Sequence, residues 1–202
     1  MQNIVCLDLE GVLVPEIWIA FAEESGIPEL KKTTRDEPDY DKLMKYRLAI
    51  LKERGLGLKE IQATIEKVEP LGGAKEFMDE LRSMTQAIIL SDTFEQFAAP
   101  LMRKLGMPTL FCNKLIVAED GSITGYEMRC EKSKYTTVKA LQSCGFETIA
   151  FGDSFNDLGM IEASKAGFLF RTTDAIKRDY PQYPAFEDYG DLLAAIKKAL
   201  KN

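Results

Sequence analysis

Four short apolar runs do most to limit what this chain can become. Each is stopped by polar or turn residues, and helical sequence fills most of the intervals. Residues 3–9 (NIVCLDL) lead into Gly11, and Ala87 to Leu90 end in Ser91, Asp92 and Thr93. Ile149 to Phe151 end in Gly152 and Asp153, and AGFLFRTT is the fourth run. Apolar runs this short, without polar alternation, read as strands covered on both faces. Helical periodicity over 74–84, 93–105, 133–143 and 156–164 falls between or after them. Strand and helix in alternation predict a Rossmann-like parallel sheet with crossover helices, an α/β fold.

One stretch breaks the alternation. Residues 16–69 are helical almost throughout (IWIAFAEESG, YDKLMKYRLAILKERG, LKEIQATIEKV), with Gly26, Gly55 and Gly57 where helices would stop. The expected division is a core of 1–15 and 71–202 carrying a small helical insert at 16–70. Residues 114–129 alternate around Asp120-Gly121 and predict an antiparallel hairpin, and 189–201 reads as a closing amphipathic helix.

Composition removes whole classes of function. The chain has no histidine, so His-containing triads, His-ligated zinc and His general bases are all excluded. A net charge of −6 gives no reason to expect nucleic acid or an anionic membrane as partner. There is no long uncharged apolar stretch, and strand-like sequence begins at once without a basic, apolar leader, so neither a span nor a secretion signal is expected. Cys6, Cys112, Cys130 and Cys144 lack CxxC spacing and suit free thiols in a reducing, cytoplasmic setting.

Three strand ends carry polar groups: Asp8 with Glu10, Ser91 with Asp92, and Asp153 with Asn156 and Asp157. In an open parallel sheet, ligands bind outside the carboxyl ends of the strands. Asp8 and Glu10 stand two apart, so an extended chain turns both to one side. Carboxylates converging without histidine suit a hard, oxygen-seeking ion, Mg²⁺ above others. That setting suits phosphoryl transfer, in which a carboxylate can act as nucleophile. Ser91 at a strand-to-helix turn offers a hydroxyl and helix-start N–H groups to a phosphate, although Ser91 or Asp92 could equally be a simple helix cap. A cation should complete the set; Lys134, at the start of a helix preceding the Asp153 strand, is the candidate, with Lys132 and Lys139 as close competitors that periodicity does not separate from it.

The order DLEGV, ILSDTF, a lysine and then FGDSFND resembles the four-motif signature of haloacid dehalogenase superfamily phosphotransferases. The insert falls where that superfamily carries a small helical cap. More narrowly, DLEGVLVPEIWIAFAEESGI, TTRDEPDYDKLMKYRLAIL and GDSFNDLGMIEASKAG resemble bacterial phosphoserine phosphatases that also pass phosphate to homoserine. The resemblance implies Asp8 as the nucleophile that becomes phosphorylated, and Glu10 as acid and base with its carbonyl on Mg²⁺. Ser91 and the Asp92 N–H would hold the phosphate, with Lys134 as the cation. Asp153 would be a metal ligand, Asn156 a phosphate or substrate contact, and Asp157 would orient the metal's surroundings. In the cap, Glu16 would receive the substrate ammonium and Arg47 its carboxylate. Without the resemblance, Arg47 reads as a solvated helix residue, Glu16 as a helix start, and Trp18 and Phe21 as cap core. The implied substrate is phosphoserine, with water or homoserine as acceptor and a homodimer possible. Another small phosphomonoester is the alternative substrate, and a receiver-like phospho-acceptor domain is the alternative of another class. Glu10 departs from the aspartate that most phosphatases of the superfamily carry there, placing the acid/base carboxyl on a longer stem.

Overall fold

The computed structural model describes residues 2–33, 36–37 and 39–201. Strand β1 (Gln2–Leu7) is followed by helices α1 (Ile17–Ser25), α2 (Tyr40–Glu53) and α3 (Leu58–Ile65), with a 3-10 turn at Pro28–Lys31. Next come α4 (Ala74–Met84), β2 (Gln86–Phe94), α5 (Glu95–Lys104), β3 (Thr109–Val117) and β4 (Ile123–Glu127). Then follow α6 (Ser133–Ser143), β5 (Phe146–Gly152), a 3-10 turn at Phe155–Asp157 and α7 (Leu158–Ala163). The chain closes with β6 (Ala166–Phe170), α8 (Asp174–Asp179), β7 (Ala185–Phe186) and α9 (Tyr189–Ala199).

The strands form one sheet in the order β4-β3-β2-β1-β5-β6-β7, parallel except for the β3–β4 pair. The expected α/β fold is therefore the observed one. Its sequence signature follows from burial on both faces. Val5 and Leu7 join one apolar cluster with Ile89, Ile149 and Phe151, while Ile4 and Cys6 join another with Ile88, Leu90 and Ala150. Successive side chains point to opposite sides of a strand, so a strand sandwiched between helix layers must be apolar at every position. The first cluster extends into α1, α3, α4, α5 and α9; the second takes α6 and α7. Leu7 pairs with both Ile89 and Phe151, so the end of β1 comes level with the end of β5 and with the point where β2 reaches Ser91.

Several boundaries differ from the sequence expectation. β2 does not stop at Leu90 but runs through Ser91 to Phe94, with a register irregularity against β3 before Phe94 pairs with Asn113. Helix α5 consequently starts at Glu95 rather than 93, and its N-cap is Phe94. Ser91 and Asp92 therefore neither cap a helix nor offer helix-start N–H groups. Gly57 begins α3 instead of ending a helix, and a Cβ there would lie 2.9 Å from the Gly121 carbonyl oxygen at the tip of the β3–β4 hairpin. The Leu58 N–H donates to that same oxygen at 2.8 Å, so hairpin and helical insert are tied together. Among the described residues, no helix is long and apolar enough to cross a membrane.

Candidate active site

Asp8 follows directly on β1, and its N–H donates to Phe151 O at 3.3 Å, prolonging the β1–β5 pairing by one step. Its side chain is buried and held at both oxygens. Oδ1 accepts from the Leu9 N–H at 2.7 Å, and Oδ2 lies 2.9 Å from Lys134 Nζ. Lys134, on the first turn of α6, is 3% exposed and also donates to Asp157 Oδ1 at 2.6 Å. Asp157 is fully buried; its other oxygen accepts from the backbone N–H groups of Asp153 and Ser154 at 3.1 and 3.0 Å. Lys132 and Lys139, the other candidates, lie exposed.

Two glycines make this approach possible. Gly11 has φ +74°, and a Cβ on it would come within 2.5 Å of Asp153 Oδ2. A Cβ on Gly152 would collide with the Asp157 carboxylate. Together they let Asp8, Asp153 and Asp157 each bring an oxygen within 4.8 Å of the others. Three carboxylates there face one ammonium. Burial, then the charge of Asp157, pushes the Asp8 carboxyl well above its ordinary range despite Lys134. The same two causes push Asp153 up to about 7. Burial opposes the charge on Lys134, but Asp157 and Asp8 outweigh it and hold its pKa above the ordinary lysine value. An all-oxygen donor set with excess negative charge fits a hard divalent cation such as Mg²⁺.

Glu10 faces away from this cluster. Its Oε2 accepts from the Ile17 N–H at 2.9 Å, placing a carboxyl against the start of α1. Burial, the neighbouring charge of Glu16 and a hydrogen bond shared with it push Glu10 up to about 8, against the pull of Ile17 N–H and Arg47. Such a group carries a proton near neutral pH and can donate it. Arg47, on α2, is only 6% exposed. Its guanidinium sits 4.5 Å over the Trp18 ring, and Nη2 donates to Lys32 O at 2.7 Å. Among the described residues, Arg47 Nε is the one buried side-chain polar atom with no hydrogen-bond partner. An unpaired buried N–H costs ~1–3 kcal/mol, which an incoming acceptor would recover. Burial draws the Arg47 pKa down to about 10, still far above neutrality.

These groups line one pocket of about 410 Å³. Asp8, Ser91, Asp92, Lys134, Asp153 and Asn156 border it, and so do Glu10, Glu16 and Arg47. Asp157 stands behind Lys134 rather than in the wall. Every residue that the resemblance gave a role thus lies in the pocket or directly behind it, whereas the competing Lys132 and Lys139 do not. The reading of Trp18 as core is half right: it is buried, yet its ring also forms pocket wall under Arg47. Phe21 is core alone among these two. Tyr40 is a wall residue without any forewarning in the sequence, and Thr93, noted there only as part of the polar end of its run, is another. Tyr40 has a faint local signal at most, since it opens a helix; what places it is ring packing against Tyr126 and a 3.4 Å bond to Asp92 O.

The haloacid dehalogenase-like hydrolase family model matches residues 3–165. The chain belongs to that family. Within it, the chain is 53% identical to phosphoserine phosphatase ThrH of Pseudomonas aeruginosa, over 98% of this chain and 97% of that protein. It is 52% identical to a phosphoserine phosphatase of Pseudomonas syringae pv. tomato, over 98% of this chain and 83% of the relative. Among solved structures, a substrate-bound phosphoserine phosphatase complex superposes with a TM-score of 0.78 at 22% identity, covering 98% of each chain. A phospho-aspartyl intermediate analogue of phosphoserine phosphatase superposes at 0.77 and 21%, covering 96% of this chain and 98% of that one. At that identity the two structures speak for the hydrolase fold. The hydrolase family match and the two relatives above 50% identity, rather than the fold, count against the receiver-domain alternative.

Proposed function

We propose that this hydrolase removes phosphate from phosphoserine through a phosphorylated Asp8, and that homoserine can replace water as the final acceptor. One observation carries the substrate reading: a single pocket joins a phosphate-handling end (Asp8, Ser91, Lys134) to an end with Glu16 and Arg47. A carboxylate and a guanidinium suit the ammonium and carboxylate of an amino acid, and Arg47 Nε still lacks an acceptor. The names of the relatives at 53% and 52% identity support the same substrate.

In the first step an Asp8 oxygen attacks phosphorus, the P–O bond to serine breaks, and Glu10 gives its proton to the departing serine oxygen. Lys134 and the Ser91 hydroxyl stabilise the charge on the phosphoryl oxygens. In the second step Glu10, now a carboxylate, takes the proton of a water or of the homoserine hydroxyl as that oxygen attacks phosphorus, and the bond to Asp8 breaks. Glu10 ends protonated, as it began, and Asp8 ends as a free carboxylate. Mg²⁺, held by Asp8, Asp153 and the Glu10 carbonyl with Asp157 nearby, would supply neutralisation of phosphate charge. The helices of 16–70 act as a cap that carries Glu16 and Arg47 to the substrate and keeps bulk water out.

The deciding experiment is incubation with phosphoserine and Mg²⁺, with and without homoserine, followed by ³¹P NMR. Phosphate appears in both, and phosphohomoserine only with homoserine. Phosphate alone in both samples would remove the transfer half of the proposal. No reaction with phosphoserine would overturn the substrate.

A further inference from the structure

We infer that Asp92 is a positioning residue, whose carboxylate fastens the phosphate-holding end of β2 to the start of α6, which carries Lys134, and to the turn that carries Asn156. The assignment goes beyond, and rests on, the phosphatase reading above, in which Asp92 contributes only its backbone N–H. Each carboxylate oxygen has its own partner from a distant part of the chain. Oδ1 accepts from Ser133 Oγ at 3.0 Å, and Oδ2 accepts from Asn156 Nδ2 at 2.9 Å. The backbone carbonyl of the same residue accepts from Asn113 Nδ2 at 2.9 Å and Tyr40 OH at 3.4 Å. One residue therefore joins β2 to β3, to α2, to the start of α6 and to the turn after β5.

Both bonds bear on groups that would meet the phosphate. Ser133 immediately precedes Lys134 and follows Lys132, which sits at φ +47°, a left-handed conformation that a lysine holds only when its surroundings fix it. The Asn156 amide is held at both ends, Oδ1 by Ser154 Oγ and Nδ2 by Asp92. An amide nitrogen has two hydrogens, so one remains for a substrate oxygen, in a direction that Asp92 sets. Binding alone does not explain an aspartate here. A carboxylate in the wall of a pocket for a dianion repels it, so what its presence secures is geometry.

The test is a double-mutant cycle on kcat and KM for phosphoserine, with Asp92→Ala, Asn156→Ala and the pair, alongside Asp92→Asn as the near-isosteric variant. Orthophosphate affinity is read by isothermal titration calorimetry. Residues in one hydrogen-bond network couple strongly, so Asn156→Ala should lower kcat about tenfold in the native background but only about twofold beside Asp92→Ala. Asp92→Asn should lower kcat while binding orthophosphate about two- to fivefold more tightly, because the repelling charge is gone. A merely structural role would weaken both together. Equal factors for Asn156→Ala in the two backgrounds, or unchanged kcat in Asp92→Asn, would overturn the assignment. A wild-type enzyme inert toward phosphoserine would instead overturn the substrate reading; the cycle is then read on orthophosphate affinity, where additivity would overturn the role of Asp92.

Discussion

Replacing Lys134 with methionine, which is close in length and uncharged, tests whether one ammonium holds the buried acids Asp8 and Asp157 together. Lys134 Nζ lies 2.9 Å from Asp8 Oδ2 and 2.6 Å from Asp157 Oδ1, all three side chains being buried. Removing one partner of a buried ion pair costs ~3–5 kcal/mol, because the remaining charges lose their compensation. That is a large share of the ~5–15 kcal/mol by which a domain is stable. In a domain of this size each kcal/mol moves Tm by ~2–4 °C, which puts the fall at about 6–20 °C. Asp8 and Asp153 are already pushed upward and can take up a proton in place of the lost ammonium, so the lower half of that range is expected. The assay is thermal melting of both proteins in EDTA and in millimolar Mg²⁺. A cation that binds only the folded acids stabilises by RT ln(1 + [L]/Kd), and the variant, with less internal neutralisation, should gain more than the wild type. Turnover of phosphoserine should be lost in the variant under both conditions. A variant that melts with the wild type in EDTA, or a Mg²⁺ shift equal in the two proteins, would refute the reasoning.

Arg47→Ala should lower kcat/KM for phosphoserine about 10- to 100-fold, mainly through KM, since a hydrogen bond to a charged group is worth ~1.5–3 kcal/mol. Phosphoethanolamine, which has the ammonium but no carboxylate, should be turned over as by the wild type; an equal loss on both esters would remove Arg47 from carboxylate recognition. Glu10→Gln should slow turnover by about 10²–10⁴-fold, the usual worth of a proton-transfer group, with the melting temperature preserved. Glu10→Asp shortens the stem and should shift the ratio of phosphate to phosphohomoserine in ³¹P NMR; an unchanged ratio would show that Glu10 has no part in acceptor choice. Gly11→Ala meets both a φ of +74° and a 2.5 Å approach to Asp153 Oδ2, so a loss of ~1–3 kcal/mol and a higher Mg²⁺ requirement are expected. A variant with wild-type melting and Mg²⁺ activation would show that Asp153 gives way without consequence.

What could be read in the sequence, and what could not, divides along the range of the interaction involved. Helices α4 and α6 fall at 74–84 and 133–143 as their periodicity predicts, because each buries an apolar face whose spacing is local. The strand ends that bring Asp8 and Asp153 to one edge were legible for the same reason: a strand covered on both faces advertises itself as an apolar run. Ser91 misled because polar residues normally end such a run, whereas β2 continues through them to pair Phe94 with Asn113 of β3. Among three nearby lysines periodicity offered no choice, since no local pattern shows which of them is buried. Burial separates them, and the partners that bury Lys134 lie 126 residues before it and 23 after it, at Asp8 and Asp157. Arg47 was invisible except by resemblance, and Trp18 read only as core: each repeats an ordinary helical pattern, and only the contact between α1 and α2 sets the guanidinium over the ring. The Asp92 carboxylate is the extreme case, with partners 41 and 64 residues away and no local pattern at all. A residue type announces the chemistry it can do, but only the fold decides which partners hold it to that task. Asp8 and Asp92 are the same residue on neighbouring strands, and what separates the proposed nucleophile from the proposed fastener is that one carboxylate faces an ammonium and the other a hydroxyl and an amide.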